Sequence, residues 1–314
     1  MVLLGTFITT ILNSHANNHT NNQSSTRPGS PSTGDAYFET DTKNYIIYDG
    51  ANWRAYESDA TTDNTLSLEF DGGDRLDTTY SMTSVQSYTV MFWMNTTDTT
   101  SYISPVSDSD SSGNRGNLEL LRVLNQTDFY ILFKDTSGSL NLKNGVTNFN
   151  SLCDGSWHHV ALVFDSSGTY TNVTIYKDGS QAVSEDANTT NGWSTNNKVG
   201  GTSAASFAFG QRRNGTLPYT GKMDQMAFFE SALTSTNISD IYNSGNGGDL
   251  LTSGFSPDAY YRVGYYPLED TNSDGSAASA SNDIGTVADY SGNNNDASQA
   301  TASLKPNYVA DPAF

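Results

Sequence analysis

Two neighbouring imidazoles, His158 and His159, stand at the start of an apolar run and are the first side chains of this sequence that could hold a metal or move a proton. On a β-strand adjacent residues point to opposite faces, so the pair cannot close on one ion by itself. One is expected to be packed and hydrogen-bonded, the other to lie near the surface. His15 and His19 fall in a polar stretch with no third ligand nearby, so the four histidines give no zinc site. Cleavage of a glycosidic bond needs two carboxyl groups on one face, flanking the bond. Glu69, Glu119, Glu185, Glu230 and Glu269 are instead scattered along the chain. No G-x-S-x-G, P-loop or H-E-x-x-H pattern supplies a nucleophile, a phosphate cradle or a zinc-bound water. Cys153, the single cysteine, excludes an internal disulfide and reads as a small core or turn residue beside Leu152. Two aromatic residues in loops beside glycine, Trp193 and Tyr219, are the candidates to stack on sugar rings. This residue chemistry points to binding rather than to catalysis.

The elements that must position these groups are strands. Residues 154–179 read D-G-S-W-H-H-V-A-L-V-F-D-S-S-G-T-Y-T-N-V-T-I-Y-K-D-G. The β-branched and aromatic runs 157–164 and 171–177 flank a Gly/Ser turn and predict a hairpin. Val160, Leu162 and Phe164 share one face, with Val173 and Ile175 opposite them, as in a sheet with one face on a core. Further strands are predicted at 66–70, 88–94, 118–124, 129–134, 198–201, 206–212 and 222–229, separated by turn residues. That spacing predicts an all-β antiparallel sandwich. One helix is predicted over 236–243, where Ile238, Ile241 and Tyr242 share a face and Gly245 follows.

Composition narrows the partners. The 314 residues have room for one large sandwich and a smaller unit. Hydrophobic residues make up only 35%, and Ser, Thr, Asn, Gly and Asp fill the difference, which favours turns and strands over helices. With 34 acidic and 15 basic residues the formal charge is −19, which repels phosphate backbones and anionic lipid surfaces. Nucleic acid is therefore not an expected partner. Residues 1–12 look like the apolar stretch of a secretion signal, but threonines interrupt them, no basic leader precedes them, and they are too short to cross a bilayer. No membrane insertion is expected.

Three parts follow: an extended arm over 1–34, a small aromatic β-meander over 35–60, and a sandwich with a C-terminal extension over 61–314. The arm is Asn-rich and ends in Arg27-Pro28-Gly29-Ser30-Pro31, so it is a linker or strap that neighbours must order. The meander has short strands at Tyr37-Phe38, 45–48 and 53–56 with turns between them. Three strands of this size need a neighbour or copies of themselves to bury the aromatic face.

The string R-P-G-S-P-S-T-G-D-A-Y-F-E-T-D-T-K-N-Y-I-I-Y-D-G-A-N-W, residues 27–53, resembles a recurrent element near the N-termini of tail, fibre and other virion proteins of tailed bacteriophages. The resemblance implies a virion structural protein on the particle surface, a capsid decoration, capsid-fibre or tail-fibre component. Its arm, through Leu3, Leu4, Phe7, Ile8, Ile11 and Leu12, would anchor it to other virion proteins. A homo-oligomer, a trimer above all, is expected from the small aromatic sheet, and adhesion to cell-surface glycans from the outward-facing sandwich.

A Phe-Asp-Gly strand, a Tyr-Thr-Val-x-Phe-Trp strand, the Trp-His-His-Val hairpin, Gly221-Lys222-Met223-Asp224-Gln225-Met226, and Ala232-Leu233 leading to Ile241-Tyr242-Asn243-Ser244-Gly245 occur in that order. Together they resemble the laminin G-like branch of the concanavalin A-like sandwiches. The resemblance implies an antiparallel jelly roll, and a Ca²⁺ ion held by Asp71, Asp224 and Asp289. That fold also houses glycoside hydrolases, yet none of the glutamates sits in their E-x-D-x-x-E arrangement. Residues 263–270 and 289–296 look like phrases from the beginning of such domains, so the tail either completes the sandwich by a permuted route or caps it. A non-enzymatic protein is the expected reading; a secreted lectin-like module and a glycoside hydrolase are its rivals.

Overall fold

The computed structural model describes residues 21–22, 30–32, 35–39, 45–48, 53–56, 66–82, 87–99, 102–109, 112, 118–122, 129–134, 140–146, 152–167, 172–186, 206–243, 250, 262–266, 286–287, 289, 291, 295–310 and 313. Leu3, Leu4, Phe7, Ile8, Ile11, Leu12, Trp193 and the strand expected at 198–201 lie outside them. The chain forms two compact units, Met1–Asp63 and Asn64–Phe314.

The first unit holds β1 (Asn21–Asn22), β2 (Ala36–Glu39), β3 (Tyr45–Tyr48) and β4 (Trp53–Tyr56), side by side in chain order. The three strands expected of the meander are present and antiparallel, with Tyr37 opposite Ile46 and Tyr48 opposite Trp53. A fourth comes from the arm: Asn21 and Asn22 run parallel to Phe38 and Glu39. Pairing of this kind uses the backbone, so a polar Asn-rich stretch can enter a sheet without an apolar face. Ser32 and Asp35 close the turn that leads into β2, the Ser32 N–H donating to Asp35 Oδ2 at 2.8 Å.

The second unit contains β5 (Ser67–Asp71), β6 (Leu76–Asp77), β7 (Tyr88–Asn95), β8 (Ile103–Ser107), β9 (Leu118–Arg122), β10 (Phe129–Lys134), β11 (Leu140–Val146), β12 (His158–Asp165), β13 (Asn172–Lys177), β14 (Ser180–Asp186), β15 (Ala208–Phe209) and β16 (Thr220–Phe229). Then come the helix α1 (Ser235–Tyr242), β17 (Arg262–Tyr266), β18 (Thr286–Val287), β19 (Ala297–Ser298) and β20 (Asn307–Val309). One sheet runs β14-β13-β12-β7-β16-β5-β20, with β17 also on β16; the other runs β11-β10-β9-β8-β15-β6-β19-β18. Between them Leu68, Phe70, Phe92, Met94, Val160, Leu162, Phe164, Met223 and Phe228 meet Leu76, Ile103, Val106, Leu118 and Phe209 in one core.

The hairpin of β12 and β13 has the expected facing set, Leu162 opposite Ile175 and Phe164 opposite Val173. Its sheet, however, is covered on both faces rather than one. Met91, Ala161, Val163, Tyr176, Ala227 and Phe229 point away from the core and pack against Leu233, Ile238 and Ile241 of the helical segment. This double burial is why β7 and β12 read as nearly unbroken apolar runs. Thr234 starts α1 by accepting from the Asn237 N–H, and Asn243 ends it in the left-handed conformation at φ 49°.

The tail completes the sandwich instead of capping it. β17 pairs with the second half of β16, β19 joins β6, and β20 pairs with β5, so residues after 260 enter both sheets. The register of β16 breaks between Asp224 and Ala227, with Gln225 at φ 41°. This bulge lets one strand hold β5 along its first half and β17 along its second. Among the described residues no helix is long and apolar enough to cross a membrane.

Candidate functional site

At one end of the sandwich the links from β5 to β6, β7 to β8, β11 to β12 and β15 to β16 come together. They are tied by their own polar groups. Thr96 Oγ1 donates to the Thr220 carbonyl at 2.6 Å, the Gly155 N–H to the Thr96 carbonyl at 3.1 Å, and Gln211 Nε2 to the Gly73 carbonyl at 2.6 Å. Gly221, at φ 148°, must be glycine because a Cβ there would collide with the Asn95 carbonyl.

Tyr219, expected to be exposed for sugar stacking, is fully buried in this end. A turn through Leu217 at φ 58° and the bond from the Tyr219 N–H to the Gly210 carbonyl at 2.7 Å swing the ring inward. It meets Phe70 edge-on at 6.1 Å, and its hydroxyl donates toward the carbonyls of Asn95 at 3.0 Å and Lys222 at 2.9 Å. Burial pushes this phenol well above its ordinary pKa. Tyr219 is therefore a core residue and not a stacking platform.

The two histidines do occupy opposite faces, but neither is at the surface. His158 bridges two carboxylates, Nδ1 to Asp178 Oδ2 at 2.9 Å and Nε2 to Asp154 Oδ1 at 3.2 Å. Asp178 lies in the two-residue turn between β13 and β14, where it and Gly179 have φ of 50° and 72°. Its other oxygen accepts from the His159 N–H at 3.0 Å, so the turn is fastened to the head of β12. Burial works against the Asp178 carboxylate, yet the hydrogen bond and charge of His158, the His159 N–H and Lys177 hold it below the usual range. Asp154 is lowered by the Ser156 N–H first and by His158 in addition. His159 packs against both Trp93, at 5.3 Å, and Tyr242 of α1, at 6.2 Å, and among the described residues neither ring nitrogen has a hydrogen-bond partner. Burial lowers its pKa to about 4.

The three carboxylates proposed for calcium are not gathered. Asp71 Oδ1 accepts from the Gly73 N–H at 2.7 Å and makes the Phe-Asp-Gly turn. Asp224, wholly buried, builds the β16 bulge: Oδ1 accepts from the Gln225 N–H at 2.8 Å, and Oδ2 accepts from the Ala313 N–H at 3.0 Å. Asp289 clasps its own loop, accepting from the Ser291 N–H and hydroxyl and from the Asn295 N–H. Among the described residues no group of three or more His, Cys, Asp or Glu is placed to hold a metal. Oxygens engaged in this way by the chain's own donors do not fit a shared cation cage.

The described glutamates are also spoken for or apart. Glu119 on β9 is 2% exposed and is met by a bidentate fork, Arg212 Nε at 2.6 Å and Nη2 at 2.7 Å. Glu230 accepts the Tyr80 hydroxyl at 3.3 Å. Glu69 is exposed on β5.

One set of side chains was missed by reasoning from sequence. Asn95, Lys222, Glu69 and Asn307 stand in one cross-strand row on β7, β16, β5 and β20. Alternation alone places each of them outward, but their alignment needs the strand order and register.

Residues 70–239, more than half of the chain, match the family described as the concanavalin A-like lectin/glucanases superfamily. Over 85 residues, 27% of this chain, the sequence is 33% identical to the rat sushi, von Willebrand factor type A, EGF and pentraxin domain-containing protein 1, and spans 2% of that protein's length. A heptameric SAP-like pentraxin of Limulus polyphemus is 17% identical, with 59% of this chain and 84% of that chain covered and a TM-score of 0.41. A candidate carbohydrate-binding protein of Bacteroides ovatus is 16% identical, with 88% and 68% covered and a TM-score of 0.46. With the two antiparallel sheets and the single described α-helix of its second unit and its matching sequence, the chain belongs to the concanavalin A-like lectin/glucanases superfamily.

Proposed function

We propose that this chain is a non-enzymatic structural protein exposed on a tailed-phage particle, a decoration or fibre component, whose lectin-like sandwich adheres to glycans of the host cell. The observation that carries the binding part is the use of the carboxylates. The superfamily embraces lectins and glucanases, and here Glu119 is closed by Arg212 while backbone N–H groups hold Asp224 and Asp289. Carboxylates fixed in this manner hold strands and loops together, which favours recognition over bond cleavage. The virion part is supported by residues 27–53 and their resemblance to the phage element. In this reading the leading segment attaches to other virion proteins through its apolar residues from Leu3 to Leu12. Three copies of the small sheet cover one another's aromatic residues.

The test has two arms. The full chain is passed over an immobilised glycan panel while reducing-sugar release is followed, and an antibody to it is applied to virions of the phage that encodes it. Saturable retention without sugar release, with label on the particle surface, is expected. Sugar release that tracks retention refutes the non-enzymatic reading. Unlabelled particles refute the virion role, and a monomer by light scattering refutes the trimer.

A further inference from the structure

We infer that the outer face of the β14–β20 sheet, beyond the edge of α1, is the saccharide contact surface. The row of Asn95, Lys222, Glu69 and Asn307 receives an uncharged, hydroxyl-rich glycan strand lying across β7, β16, β5 and β20. The inference rests on the glycan-binding reading and names the site for it.

The strand registers put Asn95 opposite Lys222, Lys222 opposite Glu69, and Glu69 opposite Asn307. Their chain neighbours Met94, Met223, Leu68 and Tyr308 all face the core, so the four side chains point outward together. Glu69 is exposed and the other three are half-buried. Further along the same strands Thr220 lies opposite Asp71, and both are exposed. At the β12 end the row meets Trp157, which precedes the His158 that pairs with Met94. Among the described residues the buried Trp157 indole N–H has no partner. Among the described residues the side-chain polar groups of Asn95, Glu69, Asn307 and Thr220 make no hydrogen bond.

This face changes character within one step of the strands. The outward residues Met91 and Trp93 of β7 lie under the helical segment, Trp93 stacking on Tyr242 at 5.7 Å. The next outward residue is Asn95, where the polar row begins. Neighbouring strands are about 4.8 Å apart, close to the length of one sugar ring, so successive rings meet successive side chains. The row offers an amide, an ammonium, a carboxylate and an amide in turn. Sugar hydroxyls both donate and accept and can satisfy every one of these. One cation beside one anion leaves the row neutral, and a chain of formal charge −19 repels sulfated or phosphorylated polymers. Each side chain is carried by a strand whose other face is locked in the core, so little ordering is needed on binding.

The experiment compares the full wild-type chain with Asn95→Ala, Glu69→Ala and Asn307→Ala, and with Ser239→Ala on the exposed side of α1 as control. Immobilised cellotetraose, laminaritetraose, chitotetraose and maltotetraose are the probes, and thermal melting checks the fold. Wild type and control are expected to bind at least one probe, and each row variant to bind it roughly three- to tenfold more weakly with an unchanged melting profile. A wild type that binds no probe refutes the glycan-binding reading and the site with it. A wild type that binds while the row variants bind equally refutes the site and leaves the reading standing. Retention on heparin that is lost in Lys222→Gln but kept in Glu69→Ala refutes the uncharged ligand.

Discussion

His159 makes the stability of the sandwich sensitive to acid. Its ring is buried against Trp93 and Tyr242 with both nitrogens unpartnered among the described residues, and burial lowers its pKa from 6.5 to about 4. The folded protein therefore holds it neutral at pH values where an unfolded chain would protonate it. Between about pH 6.5 and 4 the unfolded state binds more protons, so stability rises with pH and is lost as pH falls. The two values lie about 2.5 pH units apart, and each unit is worth about 1.4 kcal/mol, which gives a loss on the order of 3 kcal/mol from this residue. His159→Phe removes the titration while keeping a ring against Trp93 and Tyr242. Urea unfolding of both proteins from pH 7 to pH 4 is the assay. The wild type should lose that amount relative to the variant, and NMR titration of the folded wild type should find this imidazole neutral at pH 5.5. Equal acid slopes in the two proteins, or an imidazole that titrates near 6.5, would refute the reasoning.

Arg212→Met strands the Glu119 carboxylate, which is 2% exposed, and should destabilise by about 3–5 kcal/mol, with Glu119→Gln recovering much of the loss in a double-mutant cycle by urea unfolding. Ile241→Ala opens a cavity between α1 and the outer face of β7 and β12, and calorimetry should show a loss of about 2–5 kcal/mol. Tyr219→Phe deletes the hydroxyl that reaches the Asn95 and Lys222 carbonyls, so chemical denaturation should find about 1 kcal/mol less stability with glycan retention unchanged. Thr234→Ala removes the cap of α1 and should lower stability by about 1 kcal/mol in the same measurement.

What the sequence made legible was local. The β12–β13 hairpin followed from alternation, the turn after β13 from Asp178-Gly179, and α1 from the spacing of Ile238 and Ile241. Each of these is decided by residues a few positions apart. What stayed hidden depended on distant partners. Pro218 and the nearby glycines make the stretch before β16 look like an exposed loop, while the burial of Tyr219 is settled by Gly210, Leu217 and Phe70. The histidine pair read as one packed and hydrogen-bonded ring and one near the surface; the burial of His159 was hidden because its cover, Tyr242, lies far along the chain. Asp71, Asp224 and Asp289 shared a family pattern, yet Asp71 and Asp289 are consumed by donors of their own turn and loop, and Asp224 by its bulge and the distant Ala313 N–H, which only the folded chain reveals.

The entry of β17, β19 and β20 into finished-looking sheets has a consequence for biogenesis. While residues 262–313 are still on the ribosome, β5 and the second half of β16 have bare edges, and the carboxylate of Asp224 still awaits the Ala313 N–H. Bare edges of this kind invite pairing between nascent chains. Closure must then wait until residues 262–313 have been made, and a truncation that removes β17, β19 and β20 is as damaging as one that cuts either sheet in the middle.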